Sequence, residues 1–311
     1  MNEKPVTLQG VINVLKPPGM TSHDVVNRIR RIYHIKKAGH AGTLDPDAAG
    51  VLPVFIGNAT RLLEYAASEE KCYRAEALLG TRTDTGDDSG TIVEEKDFSA
   101  LTREQLESVL NRFRGSILQV PPMYSALKVR GKKLYEYARQ GQEVPREARP
   151  VDIFELTLVN YDPPHVTLTI KCSKGTYIRT LLEDIAKAAG TCACMTFLLR
   201  TQAGRYMLGE ALTLEEIEAA PETALWPAES AVAHLPSLTV NPRQAYRITG
   251  GVKTTVRDTA DGIFRLYGGE EFLGIVQAAD FLVQPLKIIR QAPKPEETDT
   301  ETRDAETHTQ M

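Results

Sequence analysis

Apolar side chains recur along the chain at two different spacings. They alternate with polar residues from Lys71 to Leu79 and from Val166 to Cys172, which predicts strands with one buried face. They recur at helical spacing from Val25 to Tyr33 and from Ile178 to Ala189, which predicts two amphipathic helices. A short, mostly apolar run, Val11 to Leu15, predicts a buried strand near the start of the chain. The chain therefore combines strands with helices.

Asp45 lies in a glycine-rich stretch, residues 39–61, that ends in an apolar run. Because Asp45 precedes Pro46, its local pattern favours a helix cap followed by a proline at the first helical position. The alternative is that Asp45 lies at the tip of a loop, where a carboxylate could take part in chemistry. A second carboxylate, Asp47, follows Pro46, and we assign it to the surface or to a cap.

The pattern loosens between Pro221 and Pro236, and short strand-like runs broken by glycines follow it. We therefore predict two domains, residues 1–230 and residues 236–290, the second of them small and rich in β-strands. The final stretch, residues 291–311, contains six acids, two bases and few apolar residues. This composition predicts a disordered acidic tail.

Charge and cysteine usage exclude several classes of protein. The formal net charge is −4, but the tail accounts for it, since the first 290 residues contain 35 bases and 35 acids. Local basic patches can therefore bind a polyanion. The four cysteines form no Cys-x-x-Cys pair, and we expect no metal site.

No apolar run approaches the ~20 residues that span a bilayer, and the N-terminus lacks a signal pattern, so we expect a cytoplasmic protein without a membrane partner.

Residues 123–149 form a basic segment with interleaved tyrosines. The segment contains seven bases and three acids, with Tyr124, Tyr135 and Tyr137 among them. Cations that meet phosphates and rings that stack on bases are typical of surfaces that bind nucleic acid. A solvated helix without a binding partner explains the same composition. The pattern alone leaves both interpretations open.

Five motifs occur in order along the chain and together resemble one family. They are Lys16-Pro-Pro-Gly-Met-Thr-Ser-His-Asp24, Gly39-His-Ala-Gly-Thr-Leu-Asp-Pro46, Lys71-Cys-Tyr-Arg-Ala-Glu-Ala-Leu-Leu-Gly80, Pro121-Pro-Met-Tyr-Ser-Ala-Leu-Lys128 and Gly175-Thr-Tyr-Ile-Arg179. This combination resembles the bacterial tRNA pseudouridine synthase B family, whose members convert the uridine at position 55, in the TΨC loop of tRNA, to pseudouridine. The resemblance covers residues 8–290. It implies an α+β fold, with a catalytic domain built on a mixed, mainly antiparallel sheet flanked by helices, and a small β-rich C-terminal domain of the RNA-binding PUA type.

The resemblance also implies roles for individual residues. Asp45 matches the essential aspartate, Tyr73 the tyrosine that stacks on the target base, and Arg179 the arginine that pairs with the aspartate. Tyr177 matches a neighbouring active-site tyrosine, and His40 matches the histidine that helps to hold the opened RNA loop. The residues that we expect to bind RNA are His40, Lys16, Lys128, Arg130, Lys132 and Arg139.

Lys16 and Leu199 also lie at positions of the family motifs. Lys16 matches a lysine of the first family motif that supports the active-site loop, although we also group it with the RNA-binding residues. Leu199, within Leu198-Leu199-Arg200-Thr201, replaces the first of two arginines that the family usually has before the threonine. Any role of that first arginine therefore does not carry over to this chain.

The reaction of the family explains why these residue types are needed. Conversion of uridine to pseudouridine breaks the N1–C1′ bond, turns the base and forms a C5–C1′ bond. No redox change or net hydrolysis occurs, so we expect no cofactor. The base must leave its stack, and a stacking tyrosine stabilises it outside. A carboxylate must be ionised, and an adjacent arginine favours that form. Three roles for Asp45 remain open: attack on C1′, attack on C6, and removal of the C2′ proton.

Two other functions remain as alternatives. One is a guide-RNA-dependent pseudouridine synthase of the same family, and the other is a non-catalytic tRNA-binding protein or tRNA folding chaperone. The basic segment argues for stand-alone recognition of RNA. The set of Asp45, Tyr73 and Arg179 argues for catalysis, because binding alone does not need a lone carboxylate near RNA. We therefore expect a monomer that binds the TΨC stem-loop of tRNA and has no obligate protein partner.

Overall fold

Two compact units make up the described part of the chain. The computed structural model describes residues 8–66 and 70–295, and the boundary between the two units falls between Val232 and Ala233. This boundary lies within the stretch where the sequence pattern loosens. Residues 296–311, which include most of the predicted acidic tail, lie outside the described residues.

The first unit alternates strands with short helices. Its described strands are β1 (Gly10–Lys16), β2 (Ala38–His40), β3 (Ala49–Ile56), β4 (Lys71–Leu79), β5 (Thr81–Thr83), β6 (Ile92–Glu95), β7 (Gly115–Gln119), β8 (Lys128–Val129), β9 (Lys132–Lys133), β10 (Arg149–Asp162), β11 (His165–Cys172), β12 (Ala193–Ala203), β13 (Tyr206–Met207) and β14 (Leu225–Trp226). Its described helices are α1 (Ser22–Ile32), α2 (Leu63–Ala66), α3 (Arg103–Leu110), α4 (Leu134–Ala138), α5 (Ile178–Ala188) and α6 (Leu214–Ala219).

A ten-stranded sheet is the centre of this unit. Its order is β14-β1-β3-β12-β4-β11-β10-β7, with β2 paired to β3 and β13 paired to β12. The pairing of β3 with β12 is parallel, and the other pairings in the sheet are antiparallel. The parallel pairing brings the start of β3 beside Leu199 and Arg200 in the middle of β12.

Helices cover the sheet through two apolar clusters. In the first, Leu106 of α3 and Leu181 of α5 pack with strand residues such as Ala75. In the second, Val25 of α1 packs with β1 and with Leu52 of β3. Burial of such side chains supplies the main stabilising free energy of the unit. The predicted α+β class, with a mixed and mainly antiparallel sheet flanked by helices, is confirmed.

No helix begins at Asp45, so the helix cap predicted from the local pattern is wrong. Residues 41–48 form an irregular loop between β2 and β3, which we call the Asp45 loop. Within it, the Ala48 N–H donates a hydrogen bond to the Asp45 carbonyl at 3.2 Å. Because β3 begins at Ala49, the chain enters the sheet directly after this turn and has no room for a helical turn.

The second unit is small and rich in strands, as predicted. Its described strands are β15 (Ser237–Val240), β16 (Thr254–Thr255), β17 (Gly262–Gly268), β18 (Glu271–Ala279) and β19 (Leu282–Ile288), in the sheet order β15-β17-β18-β19-β16. One helix, α7 (Pro242–Thr249), was not predicted; its N-cap is Asn241, whose side chain accepts a hydrogen bond from the Gln244 backbone N–H. None of the described helices in either unit is long and apolar enough to cross a membrane.

Candidate active site

Two buried cations hold the Asp45 loop by its carbonyl oxygens. The Lys16 ammonium donates to the carbonyls of Pro17, Pro46 and Ala48 at 2.9, 2.8 and 2.6 Å. Its side chain is fully buried, and this burial lowers the pKa of Lys16 to about 8. Lys16 therefore supports the loop, as the resemblance implied. Its grouping with the RNA-binding residues is corrected, because its charge is not exposed to a phosphate.

Arg200 holds the same loop near its two ends. Its Nε donates to the Val51 carbonyl at 2.7 Å, and its Nη2 donates to the Gly42 carbonyl at 3.1 Å. Arg200 is fully buried in β12, where the parallel pairing places it beside the start of β3. No function was predicted for Arg200 from the sequence, although it is the arginine that remains in the motif in which Leu199 replaces the other.

The carboxylate of Asp45 forms an ion pair with Arg179. Asp45 Oδ2 lies 3.1 Å from Arg179 Nη2, and the Asp45 side chain is 40% exposed whereas that of Arg179 is 8% exposed. The geometry therefore combines a reachable carboxylate with a nearly buried cation. Because Arg179 is nearly buried, its guanidinium is a fixed point beside which the Asp45 carboxylate lies.

Arg179 is itself held by three further acceptors. Its Nη1 donates to the Thr85 carbonyl at 2.6 Å, and its Nη2 donates to the Tyr124 carbonyl at 2.8 Å. Asp87 Oδ2 lies 3.6 Å from Nη1. Asp87 lies in a polar turn after β5 and was not predicted from the sequence. The guanidinium thus spans four acceptors and meets Asp45 through a single nitrogen.

Two adjoining cavities share the wall that contains Asp45 and Arg179. The larger has a volume of about 660 Å³ and is also lined by His40, Lys133 and Arg139. The smaller has a volume of about 250 Å³ and is lined by residues that include Lys71, Tyr73, Tyr177, Arg200 and Leu198. The structure therefore brings Asp45, Tyr73, Tyr177 and Arg179, the four predicted catalytic residues, to one place.

The two tyrosines are fixed in different ways. Tyr73 is 7% exposed on β4, and its burial raises the pKa of its hydroxyl, while the nearby Arg200 guanidinium offsets part of that rise. Tyr177 precedes the first residue of α5, at the predicted corner between a strand and a helix. Its N–H donates to Gln119 Oε1 at 2.7 Å, and Gln119 Nε2 donates back to its carbonyl at 3.0 Å. Gln119 is a buried residue that sequence reasoning missed.

His40 lies on β2, next to the Asp45 loop, and lines the larger cavity. Burial is the main cause that lowers its pKa, and the nearby Arg200 charge acts in the same direction. A lowered pKa keeps the imidazole neutral at physiological pH, so His40 brings a ring and hydrogen-bonding nitrogens to this wall without a positive charge.

The basic segment 123–149 is not one exposed helix. It contains the β8–β9 pair and the short helix α4, joined by loops. Lys132 lies over the ring of Tyr137, with 4.5 Å from its Nζ to the ring centroid, and Arg139 lies over Tyr135 at 5.4 Å. Lys128 and Arg130 are exposed. Of the four cations predicted to bind RNA in this segment, Arg139 lines the larger cavity, and the other three do not.

Potential metal ligands do not gather in the described part of the chain. No group of three or more His, Cys, Asp or Glu side chains there has an arrangement that could hold a metal ion. Two of the acids that line the larger cavity, Asp45 and Asp87, are instead directed at Arg179.

Comparisons with known proteins identify the family. The TruB family pseudouridylate synthase N-terminal domain matches residues 30–178, and the tRNA pseudouridylate synthase B C-terminal domain matches residues 179–234. The tRNA pseudouridine synthase B of Symbiobacterium thermophilum is 50% identical over 82% of this chain and 86% of its own length. That of Heliobacterium modesticaldum is 45% identical over 92% of this chain and 97% of its own length.

Solved structures show the same fold at lower identity. A chain in the structure of an H/ACA RNP bound to a substrate RNA containing 2′-deoxyuridine is 25% identical, with a TM-score of 0.71, over 92% of this chain and 87% of that one. A chain in a Cbf5-Nop10-Gar1 complex is 26% identical, also with a TM-score of 0.71, over 91% of this chain and 85% of that one. The resemblance predicted from the sequence motifs is confirmed, and the chain belongs to the TruB family of tRNA pseudouridine synthases.

Proposed function

We propose that this enzyme converts the uridine at position 55, in the TΨC loop of tRNA, to pseudouridine, with Asp45 as the reacting carboxylate. The observation that carries the proposal is the position of Asp45. Its side chain is 40% exposed on the wall shared by two cavities and is paired with the nearly buried Arg179. A reactive group must be reachable by substrate and fixed in direction, and this arrangement satisfies both requirements.

The smaller cavity is the proposed site of the target base. Tyr73 and Tyr177 supply aromatic rings in its wall, and Leu198 supplies an apolar side chain. A base that has left its stack can regain stacking and apolar contact in such a pocket. The carboxylate of Asp45 then lies beside the nucleotide, from which it could attack C1′, attack C6 or remove the C2′ proton.

The larger cavity is the proposed site of the RNA loop around that base. Lys133 and Arg139 bring positive charge to it, and His40 brings a neutral ring. The exposed cations Lys128 and Arg130 extend the basic segment beyond the cavity, where they would meet phosphates of the stem. The second unit, with its five-stranded sheet, supports the proposal of a PUA-type RNA-binding domain that contacts tRNA outside this loop.

A single experiment separates this function from the alternatives. Unmodified tRNA is incubated with the purified chain alone, and pseudouridine is mapped at each uridine. Product at position 55 supports a stand-alone enzyme. Product only after addition of a guide RNA and partner proteins would instead support the guide-dependent alternative, and the absence of product under both conditions would support a binding protein or folding chaperone.

A further inference from the structure

Ser125 lies in the wall that the two cavities share, beside Asp45 and Arg179. It is 6% exposed and belongs to the loop between β7 and β8. Its backbone groups are both satisfied: its N–H donates to the Met123 carbonyl at 3.0 Å, and its carbonyl accepts from the Tyr135 N–H at 3.1 Å. Its hydroxyl, by contrast, is buried and has no hydrogen-bond partner in the described part of the chain.

An unpaired hydroxyl in this position is unusual for the molecule. The described residues include three serines with buried side chains. The hydroxyl of Ser22 exchanges hydrogen bonds with Leu44, and that of Ser230 lies 3.0 Å from the Tyr206 hydroxyl. A buried hydroxyl without a partner destabilises the folded state, so its presence in a functional wall needs a reason other than packing.

We propose that the Ser125 hydroxyl is a substrate-contacting group that donates a hydrogen bond to a carbonyl oxygen of the target uracil. This proposal rests on the function proposed above and adds a residue to it. The hydroxyl can move among the staggered positions about the Cα–Cβ bond without movement of the backbone. The substrate then supplies the partner that the described residues do not.

The surroundings of Ser125 favour the base over a phosphate as its partner. The smaller cavity is bordered by the rings of Tyr73 and Tyr177 and by Leu198, a lining that suits a flat base. Uracil presents two carbonyl oxygens and one N–H on its edge, and a hydroxyl can both donate and accept. A phosphate would be held more strongly by an arginine, such as Arg179, than by an uncharged hydroxyl.

The test compares two serines of equal burial, Ser125→Ala and Ser230→Ala. Ser125→Ala should lower kcat/KM on a tRNA stem-loop about fivefold to fiftyfold and leave the melting temperature unchanged or raised, since no hydrogen bond within the protein is removed. Ser230→Ala should do the reverse: activity should be retained, and the melting temperature should fall by about 2–4 °C, because a satisfied bond is removed. Full activity of Ser125→Ala would overturn the proposal, as would a fall in its melting temperature equal to that of Ser230→Ala.

Substrate analogues identify the atom that accepts the bond. Stem-loops with 2-thiouridine or 4-thiouridine at the target position replace one base oxygen by sulfur, a weaker acceptor. The loss of kcat/KM caused by Ser125→Ala should be less than about twofold on one of these two analogues, because the wild type has already lost the same hydrogen bond there. An equal loss on both would overturn the assignment to a base carbonyl. If the wild-type chain makes no pseudouridine, the proposed function itself is wrong. If the wild type makes pseudouridine and Ser125→Ala is equally active, only the proposal for Ser125 is wrong.

Discussion

The Asp45 loop and the basic segment 123–149 both line the larger cavity, but they use positive charge in opposite ways. The Asp45 loop and the start of β3 are held from behind by Lys16 and Arg200, which are fully buried and donate to four of their carbonyls. The basic segment presents its cations outward: Lys128 and Arg130 are exposed, and Lys132 lies over a tyrosine ring.

In the proposed function, the buried cations hold a reactive carboxylate in place, and the exposed cations of the same surface bind a polyanion. Buried cations help to fix the position of a reactive carboxylate, but they cannot contact a phosphate directly. Exposed cations contribute to affinity and to its dependence on salt, and they do not fix the reacting atoms. Substitutions in the two regions should therefore affect different steps.

The largest effect is expected from Asp45→Asn. This change keeps the shape of the side chain and removes its ionisable group, so product formation should fall at least about 10³-fold while tRNA binding stays within about threefold. The matched control is Asp47→Asn, two residues away in the same loop, which should retain most of the activity. Turnover by Asp45→Asn close to that of the wild type would contradict the assignment of the reacting group.

Arg179→Lys should be the next most damaging change, although it keeps the charge. The two terminal nitrogens of the guanidinium reach four acceptors, and one ammonium group cannot replace both of them. The single-turnover rate should fall about 10²-fold or more, with little change in tRNA affinity. Arg114→Lys is a suitable control, because that guanidinium also binds a backbone carbonyl, that of Leu156, and lines neither cavity. A defect of Arg179→Lys confined to affinity would instead identify Arg179 as a phosphate contact.

The rate should also depend on the protonation of Lys16. Burial lowers the pKa of Lys16 from 10.5 to about 8, and the neutral amine has two protons for three carbonyls. The single-turnover rate should therefore be about tenfold lower at pH 9 than at pH 7.

The contribution of Lys16 to the stability of the protein should change in the other direction as the pH rises above 8. Between pH 8 and 10.5 the unfolded chain binds more protons at Lys16 than the folded chain, so this group makes the free energy of unfolding rise with pH. Melting curves at each pH separate the two effects. A rate that is the same at pH 7 and pH 9, or that falls only in step with the melting temperature, would contradict the role of the Lys16 ammonium.

The smallest effect is expected from the combined change of Lys128, Arg130 and Lys132 to alanine. Affinity for tRNA should fall about fivefold near physiological salt, and the slope of log affinity against log salt should become shallower by roughly 0.7–0.9 for each phosphate that is no longer neutralised. The control removes the same charge at Lys96, Arg112 and Lys187, which are exposed and line neither cavity. Binding isotherms at two salt concentrations that match the wild type would exclude RNA contact by the three residues.

The sequence predicts those features that depend on local pattern. The alternation of apolar and polar residues identifies β4 and β11, and helical spacing identifies α5. The corner between β11 and α5 explains why Tyr177 and Arg179 enter the site. The sequence pattern does not predict β12, because a bulge between Met195 and Phe197 interrupts the alternation and a charged residue, Arg200, is one of its buried side chains.

The local sequence pattern also does not predict the hydrogen bonds by which Lys16 and Arg200 hold the Asp45 loop. Apart from the neighbouring Pro17 carbonyl, the carbonyls that accept from Lys16 and Arg200 lie 30 to 158 residues away in the sequence, and a carbonyl has no sequence signature of its own. Near Asp45 the local sequence pattern was misleading. It is the pattern of a helix cap, but the chain enters β3 at Ala49 and forms no helix there. Only the family resemblance selected Asp45, the carboxylate that the structure pairs with Arg179.

The most direct test of the division between the two regions measures two quantities for three proteins. Single-turnover rate at saturating tRNA and dissociation constant are determined for the wild type, for Asp45→Asn and for the triple alanine variant of Lys128, Arg130 and Lys132. We predict that Asp45→Asn loses the rate and keeps the affinity, and that the triple variant loses affinity and keeps the rate to within about threefold. Loss of both quantities together in either variant would contradict the separation of chemistry from recognition.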